Sequence, residues 1–184
     1  MKITKFLIAG VAAAGLLTVS TASWSQAPSN APPAAPADAK PSAVIKVKSG
    51  QLRGYQSGAV AVYQGIPYAA PPVGDLRWRA PKAAASWSGV RDASKPGAAC
   101  FAAEDCLYLN VHKPVDAKPG AKLPVMVWIH GGSFTGGAGT NGFGANHDGA
   151  EFAKKGVITV TINYRLGRAG WFTHPALVKE GPSS

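Results

Sequence analysis

The chain has 184 residues, 19 Lys plus Arg against 9 Asp plus Glu, a formal net charge of +10 and 46% hydrophobic residues. That length allows one domain with at most an appendage, and that apolar content excludes a mainly disordered polyelectrolyte. No run of 18 apolar residues occurs, which argues against a transmembrane segment, and two cysteines exclude a disulfide-dense miniprotein or a four-cysteine zinc site.

In chain order, Lys2 and Lys5 precede the 14-residue apolar stretch Phe6–Val19 and the small residues Ser20 to Ser23. This is the plan of a secretory signal peptide, expected over residues 1–25, with cleavage between Ala22 and Ala27. No Cys follows the apolar stretch and no Arg pair precedes it, which points to the general secretory route and an exported protein, periplasmic or secreted. Removing the signal leaves a mature charge of about +8. Residues 26–42 hold Pro28, Pro32, Pro33, Pro36 and Pro41 among Ala and Ser and read as an extended linker that joins no sheet. The folded part is expected over residues 43–184. Val44 to Tyr63 alternates around Ser49-Gly50 and reads as an antiparallel hairpin or meander. Residues 65–79, rich in Pro and Gly, read as an ordered loop. Leu107 to Val111 reads as a strand. Pro124 to Ile129 is a continuous apolar run, the pattern of a strand buried on both faces, and a glycine turn follows it. A short helix is expected from Asp148, its cap, to Lys155, ended by Gly156, and a β-branched strand from Val157 to Asn163. Two such strands around a helix make a βαβ-like unit, hence an α/β fold with a mixed sheet.

Four blocks in this order resemble the type-B carboxylesterases, the α/β-hydrolase family that includes bacterial para-nitrobenzyl esterases and the cholinesterases. They are GIPYAAPPVGDLRW (65–78), EDCLYLNV (104–111), WIHGGSF (128–134), and NYRLG (163–167) with Gly170-Trp171-Phe172. The resemblance covers roughly residues 43–184. It implies the N-terminal part of an α/β-hydrolase fold, with a mixed, mostly parallel sheet that starts antiparallel and is incomplete. It also implies an acyl-serine esterase that needs no metal or cofactor and acts on small-molecule carboxylic esters.

The third block has a direct chemical logic. Ester hydrolysis passes through a tetrahedral oxyanion, and pre-aimed donors stabilise it by roughly 3–4 kcal/mol each. Glycines bring backbone N–H groups close to a substrate. By the resemblance, Gly132 and Ser133 offer those N–H groups and Gly131 shapes the turn. Many relatives have Gly or Ala where Ser133 stands, so here a side chain enters the pocket wall. Ser133 is not in a Gly-x-Ser-x-Gly context and is not read as the nucleophile. His130, beside the turn, is read as a structural hydrogen-bonding residue.

Glu104 and Asp105 are adjacent, and neighbours on a strand face opposite ways, so they are not read as an acid–base pair. The resemblance pairs Glu104 with Arg77 in a structural salt bridge. It makes Arg165 a second structural arginine, with its partner expected beyond this chain. Cys100 and Cys106 flank five residues. In an exported chain a disulfide is expected, contributing about 2–2.5 kcal/mol, with two free thiols as the alternative. The cholinesterases close a much longer loop here, so the short one favours a bacterial esterase. Lys and Arg are scattered, and nothing resembles a nucleic-acid-binding motif.

No Gly-x-Ser-x-Gly occurs in the 184 residues. In the family the serine, the acid and the histidine all follow the Asn-Tyr-Arg-Leu-Gly block. The resemblance therefore implies the first third of a domain, inactive alone, whose C-terminal remainder carries the triad. Competing readings are a non-catalytic cholinesterase-like binding protein and a truncated remnant.

Overall fold

The computed structural model describes residues 35–142, 145–146 and 149–180. The expected signal segment, the linker up to residue 34 and the Asp148 cap lie outside the described residues. The strands are β1 Lys40–Pro41, β2 Ile45–Val47, β3 Gly50–Arg53, β4 Tyr55–Ser57, β5 Val60–Pro67, β6 Val90–Asp92, β7 Tyr108–Pro114, β8 Val125–Ile129, β9 Asn141–Gly142, β10 Ala145–Asn146 and β11 Ile158–Ile162. The helices are α1 Ala150–Ala153, α2 Gly167–Trp171 and α3 Pro175–Lys179, with a 3-10 turn at Gly74–Leu76. No helix among the described residues is long and apolar enough to cross a membrane.

The main sheet runs β1-β4-β5-β7-β11-β8. Its pairings are antiparallel until the last, where β11 and β8 run parallel from Ile158↔Val125 to Ile162↔Ile129. Parallel neighbours need a crossover, and the segment carrying α1 supplies it. The sheet is thus mixed with an antiparallel start, and the parallel part that the described residues contribute to it is this one pair. A small sheet, β2-β3-β6, stands apart from it, and β9 and β10 form a ribbon of their own. The expected meander is therefore two hairpins in two sheets: β2–β3 belongs to the small one and β4–β5 to the large one.

Tertiary packing explains the split. Along β5 side chains alternate between faces. Ala61 and Tyr63 pack with Leu52 of β3 and Ala93 after β6, while Val60 and Val62 pack with Ala153 of α1. Both faces of β5 are covered, so residues 60–65 are buried. The strand bulges between Tyr63 and Ile66. Gly65 sits there at φ 62°, and a Cβ would stand 2.6 Å from the Lys95 carbonyl oxygen. Its N–H donates to Asn110 Oδ1 at 3.1 Å, and Asn110 Nδ2 donates to Thr161 Oγ1 at 3.0 Å. These bonds satisfy polar groups that burial would otherwise make costly.

Four expectations need correction. The linker does not end at residue 42: Lys40 and Pro41 pair with Gln56 and Tyr55, because an edge strand tolerates a proline that donates nothing. The loop expected from residue 65 begins as strand, since β5 runs to Pro67. The expected helix is a single turn, with Gly149 at its start. The apolar run in β8 is not buried on either face: its residues are 39–62% exposed. Among the described residues β8 pairs with β11 alone, and α1 packs on β11 and β7.

Candidate functional site

β8 delivers the chain into the turn His130-Gly131-Gly132-Ser133-Phe134. Gly132 lies at φ 124°, Ser133 at 51° and Phe134 at 60°. Left-handed backbone costs about 1–2 kcal/mol at a residue with a Cβ, so the surroundings must hold it. The holds are carbonyl bonds. Gly132 O accepts from the N–H groups of Thr135 (3.0 Å) and Gly136 (3.1 Å) and from Thr135 Oγ1 (3.2 Å). Phe134 O accepts from the Gly167 N–H at 2.7 Å, tying the turn to the start of α2. The N–H groups of Gly132 and Ser133, in contrast, donate to no protein group among the described residues, and Ser133 is exposed. Adjacent unbonded N–H groups on a turn of this kind suit an anion. Ser133 Oγ has no histidine partner among the described residues.

His130 lies beneath the turn. It is buried, and its Nδ1 is 2.8 Å from Gly131 O. Outside, Phe134 packs on Trp171 (ring centroids 4.1 Å) and Trp78 on Phe172 (5.3 Å). Trp78 Nε1 donates to Arg168 O at 2.8 Å, so the first block of the sequence is pinned to the fourth.

Arg77 Nε and Nη2 donate to Glu104 Oε1 and Oε2, each at 2.6 Å. These bonds hold the Glu104 carboxyl below the usual glutamate range and raise the Arg77 guanidinium. Cys100 and Cys106 form a disulfide, packed with Ala69, Leu107 and Leu166. Glu104 and Asp105 lie in the loop it closes, not on a strand, so the argument from opposite strand faces does not apply. They separate because Glu104 meets Arg77 while Asp105 accepts from the Tyr108 hydroxyl at 2.9 Å. Burial and that bond push the Tyr108 phenol up. Arg165 Nη1 donates to the backbone oxygen of Arg79 at 3.0 Å. Tyr68 donates to Asn163 O at 2.7 Å, and burial raises its phenol against the pull of Arg165.

Tyr164 lies inside the fourth sequence block, and Gly137 lies outside all four. In space both touch His130. The glycine pair Gly136-Gly137 was the available signal for a close approach.

This architecture, a mixed sheet with a crossover and a glycine turn at the end of its parallel strand, is part of an α/β-hydrolase fold. The profile of the Carboxylesterase family matches residues 41–179, and the chain belongs to that family. It is 45% identical over 139 residues to the fumonisin B1 esterase of Sphingopyxis macrogoltabida, a match that covers 68% of this chain and 25% of the relative. It is 41% identical over 150 residues to the para-nitrobenzyl esterase of Bacillus subtilis, covering 73% and 29%. Among solved structures, a carboxylesterase of Geobacillus stearothermophilus aligns with a TM-score of 0.63 at 42% identity, covering 70% of this chain and 27% of that one. The chain thus spans between a quarter and three tenths of the length of these relatives.

Proposed function

We propose that this chain is the oxyanion-hole segment of an exported serine carboxylic ester hydrolase. Gly132 and Ser133 N–H groups bind the oxygen of the tetrahedral intermediate, and Gly131 gives the turn its shape. The serine nucleophile, the acid and the histidine come from sequence beyond the match, as does a further oxyanion donor. The chemistry is acyl transfer through an acyl-serine, with no metal or cofactor, and the substrate is a small-molecule carboxylic ester. The chain alone is inactive. The observation that carries the reading is the pair of unbonded N–H groups on a strained turn held through its Gly132 and Phe134 carbonyls. Export is supported by the Lys2, Lys5 and Phe6–Val19 pattern and fits the disulfide.

The test measures p-nitrophenyl acetate hydrolysis by the chain alone and by a completed protein. In the latter, the chain is joined to the part of the Bacillus subtilis relative that follows the matched region. The chain alone should show no saturable turnover. The completed protein should turn over, and replacing Gly132 by glycolic acid, which puts an ester oxygen where the N–H stood without fixing φ, should cut its kcat by about 100-fold or more with little change in KM. Turnover indifferent to the ester at Gly132 sinks the proposal, as does turnover by the chain alone that Ser133→Ala abolishes.

A further inference from the structure

The site's binding atoms lie on the turn, but what orients them lies beneath it. His130 is 3% exposed. A carbonyl can only accept, so the 2.8 Å contact with Gly131 O puts the imidazole proton on Nδ1. Nε2 is buried and without a partner among the described residues. The ring stacks on Tyr164, with centroids 4.4 Å apart and planes 18° from parallel. The Tyr164 hydroxyl donates to the carbonyl oxygen of His130 at 2.9 Å. Gly137, at φ 101°, closes the remaining side: a Cβ there would stand 2.3 Å from His130 Nδ1 and 2.5 Å from Gly131 O.

These contacts fix the two carbonyls that precede Gly132. A trans peptide is planar, so its C=O and N–H point opposite ways. Holding Gly131 O toward His130 sends the Gly132 N–H away from it, toward the open side of the turn. Without that hold, two successive glycines leave the peptide free to rotate. A ring that only filled space would serve better if apolar, because an unmet buried polar atom costs stability.

We infer that His130, Tyr164 and Gly137 are positioning residues that aim the Gly132 N–H at the oxyanion. The inference rests on the oxyanion reading above. In the completed protein, His130→Ala and Gly137→Ala should lower kcat by about 10- to 100-fold and leave KM within about twofold, the signature of a misaimed rather than a missing donor. Tyr164→Phe should lower kcat by about 3- to 10-fold, the loss of one hydrogen bond. His130→Asn places an amide N–H where Nδ1 stood and should recover most of the loss. Equal losses in His130→Ala and His130→Asn, or losses in KM instead of kcat, overturn the inference. An ester at the Gly132 amide separates the two readings: if it cuts kcat while the three positioning variants keep the parent's kcat, the oxyanion reading stands and this inference falls. Should a variant fail to fold, amide NMR of the 184-residue chain decides. Tyr164→Phe should then change the residual dipolar coupling of the Gly132 N–H, which reports its direction, and an unchanged coupling overturns the inference.

Discussion

At the scale of single residues, the Arg77–Glu104 pair is the plainest electrostatic feature. Both oxygens of Glu104 are engaged, so the pair has the fork geometry that suits guanidinium and carboxylate. Both partners are also well exposed, at 43% and 33%, so solvent and salt screen them. The Arg77 hydrogen bond holds the Glu104 carboxyl below its ordinary value. The resulting stability is present above the unfolded glutamate value near 4.3 and is lost as pH falls through the lower folded value. Glu104→Gln should therefore be slightly less stable than the parent at pH 7, with the gap closing in acid and shrinking in high salt. Urea midpoints between pH 7 and pH 3 check this. Arg77→Ala is a poorer probe, because the guanidinium also lies over Trp78, 5.9 Å from the ring centroid. A gap that persists in acid would show that packing, not charge, holds the loop.

At the scale of elements, β8 is the exception to the fold's alternation. Val125, Val127 and Ile129 are 57–62% exposed along one face, and among the described residues only β11 pairs with the strand. A long apolar edge strand is a template for pairing with another chain. The chain should self-associate, and Val127→Lys should shift it toward monomer in light scattering. An unchanged distribution would place the association elsewhere, for instance on the exposed Phe134–Trp171 pair. The same strand marks what the sequence made legible. The β-branched and apolar runs in β7, β8 and β11, and the length of the crossover, disclose the strands and the parallel pair. They cannot disclose burial, because the pattern of β8 records a cover that the described residues do not provide. β1 was hidden by Pro41, whose local veto on sheet pairing an edge position lifts. The division of the hairpins between two sheets depends on where Leu52 and Ala93 meet β5, a tertiary fact with no local signature. The turn after β8 was legible from its glycines, but its supports were not. Tyr164 and Gly137 reach His130 only through the fold.

At the scale of the molecule, the three buried clusters are small, and two of them meet on β5. Toward β8 the packing thins. Neither α2 nor α3 has a buried residue, and α3 is tied back mainly by the Arg79–Glu180 ion pair at 2.8 Å, exposed on both sides. The net charge of +10 on the 184-residue chain adds self-repulsion, and the buried clusters among the described residues are small. Stability should therefore be graded rather than uniform. Native-state hydrogen exchange should find the amides of β5 and β7, covered on two faces, the slowest to open. Those of α3 should exchange almost freely. The bonded amides of Thr135, Gly136 and Gly167 should lie between, because the bonds to Gly132 O and Phe134 O and the Trp78–Arg168 bond still tie that region down. Added salt should slow exchange in the outer region by screening the repulsion. One opening free energy shared by β5, β7, α2 and α3 would sink this view. It would mean that the exposed aromatic pairs and backbone ties carry as much cooperativity as the buried clusters. The graded result would locate the candidate site on a part of the chain that opens more readily than β5 and β7. Its N–H groups would then be only as well aimed as the packing laid over β8, Phe134 and Trp171 makes them.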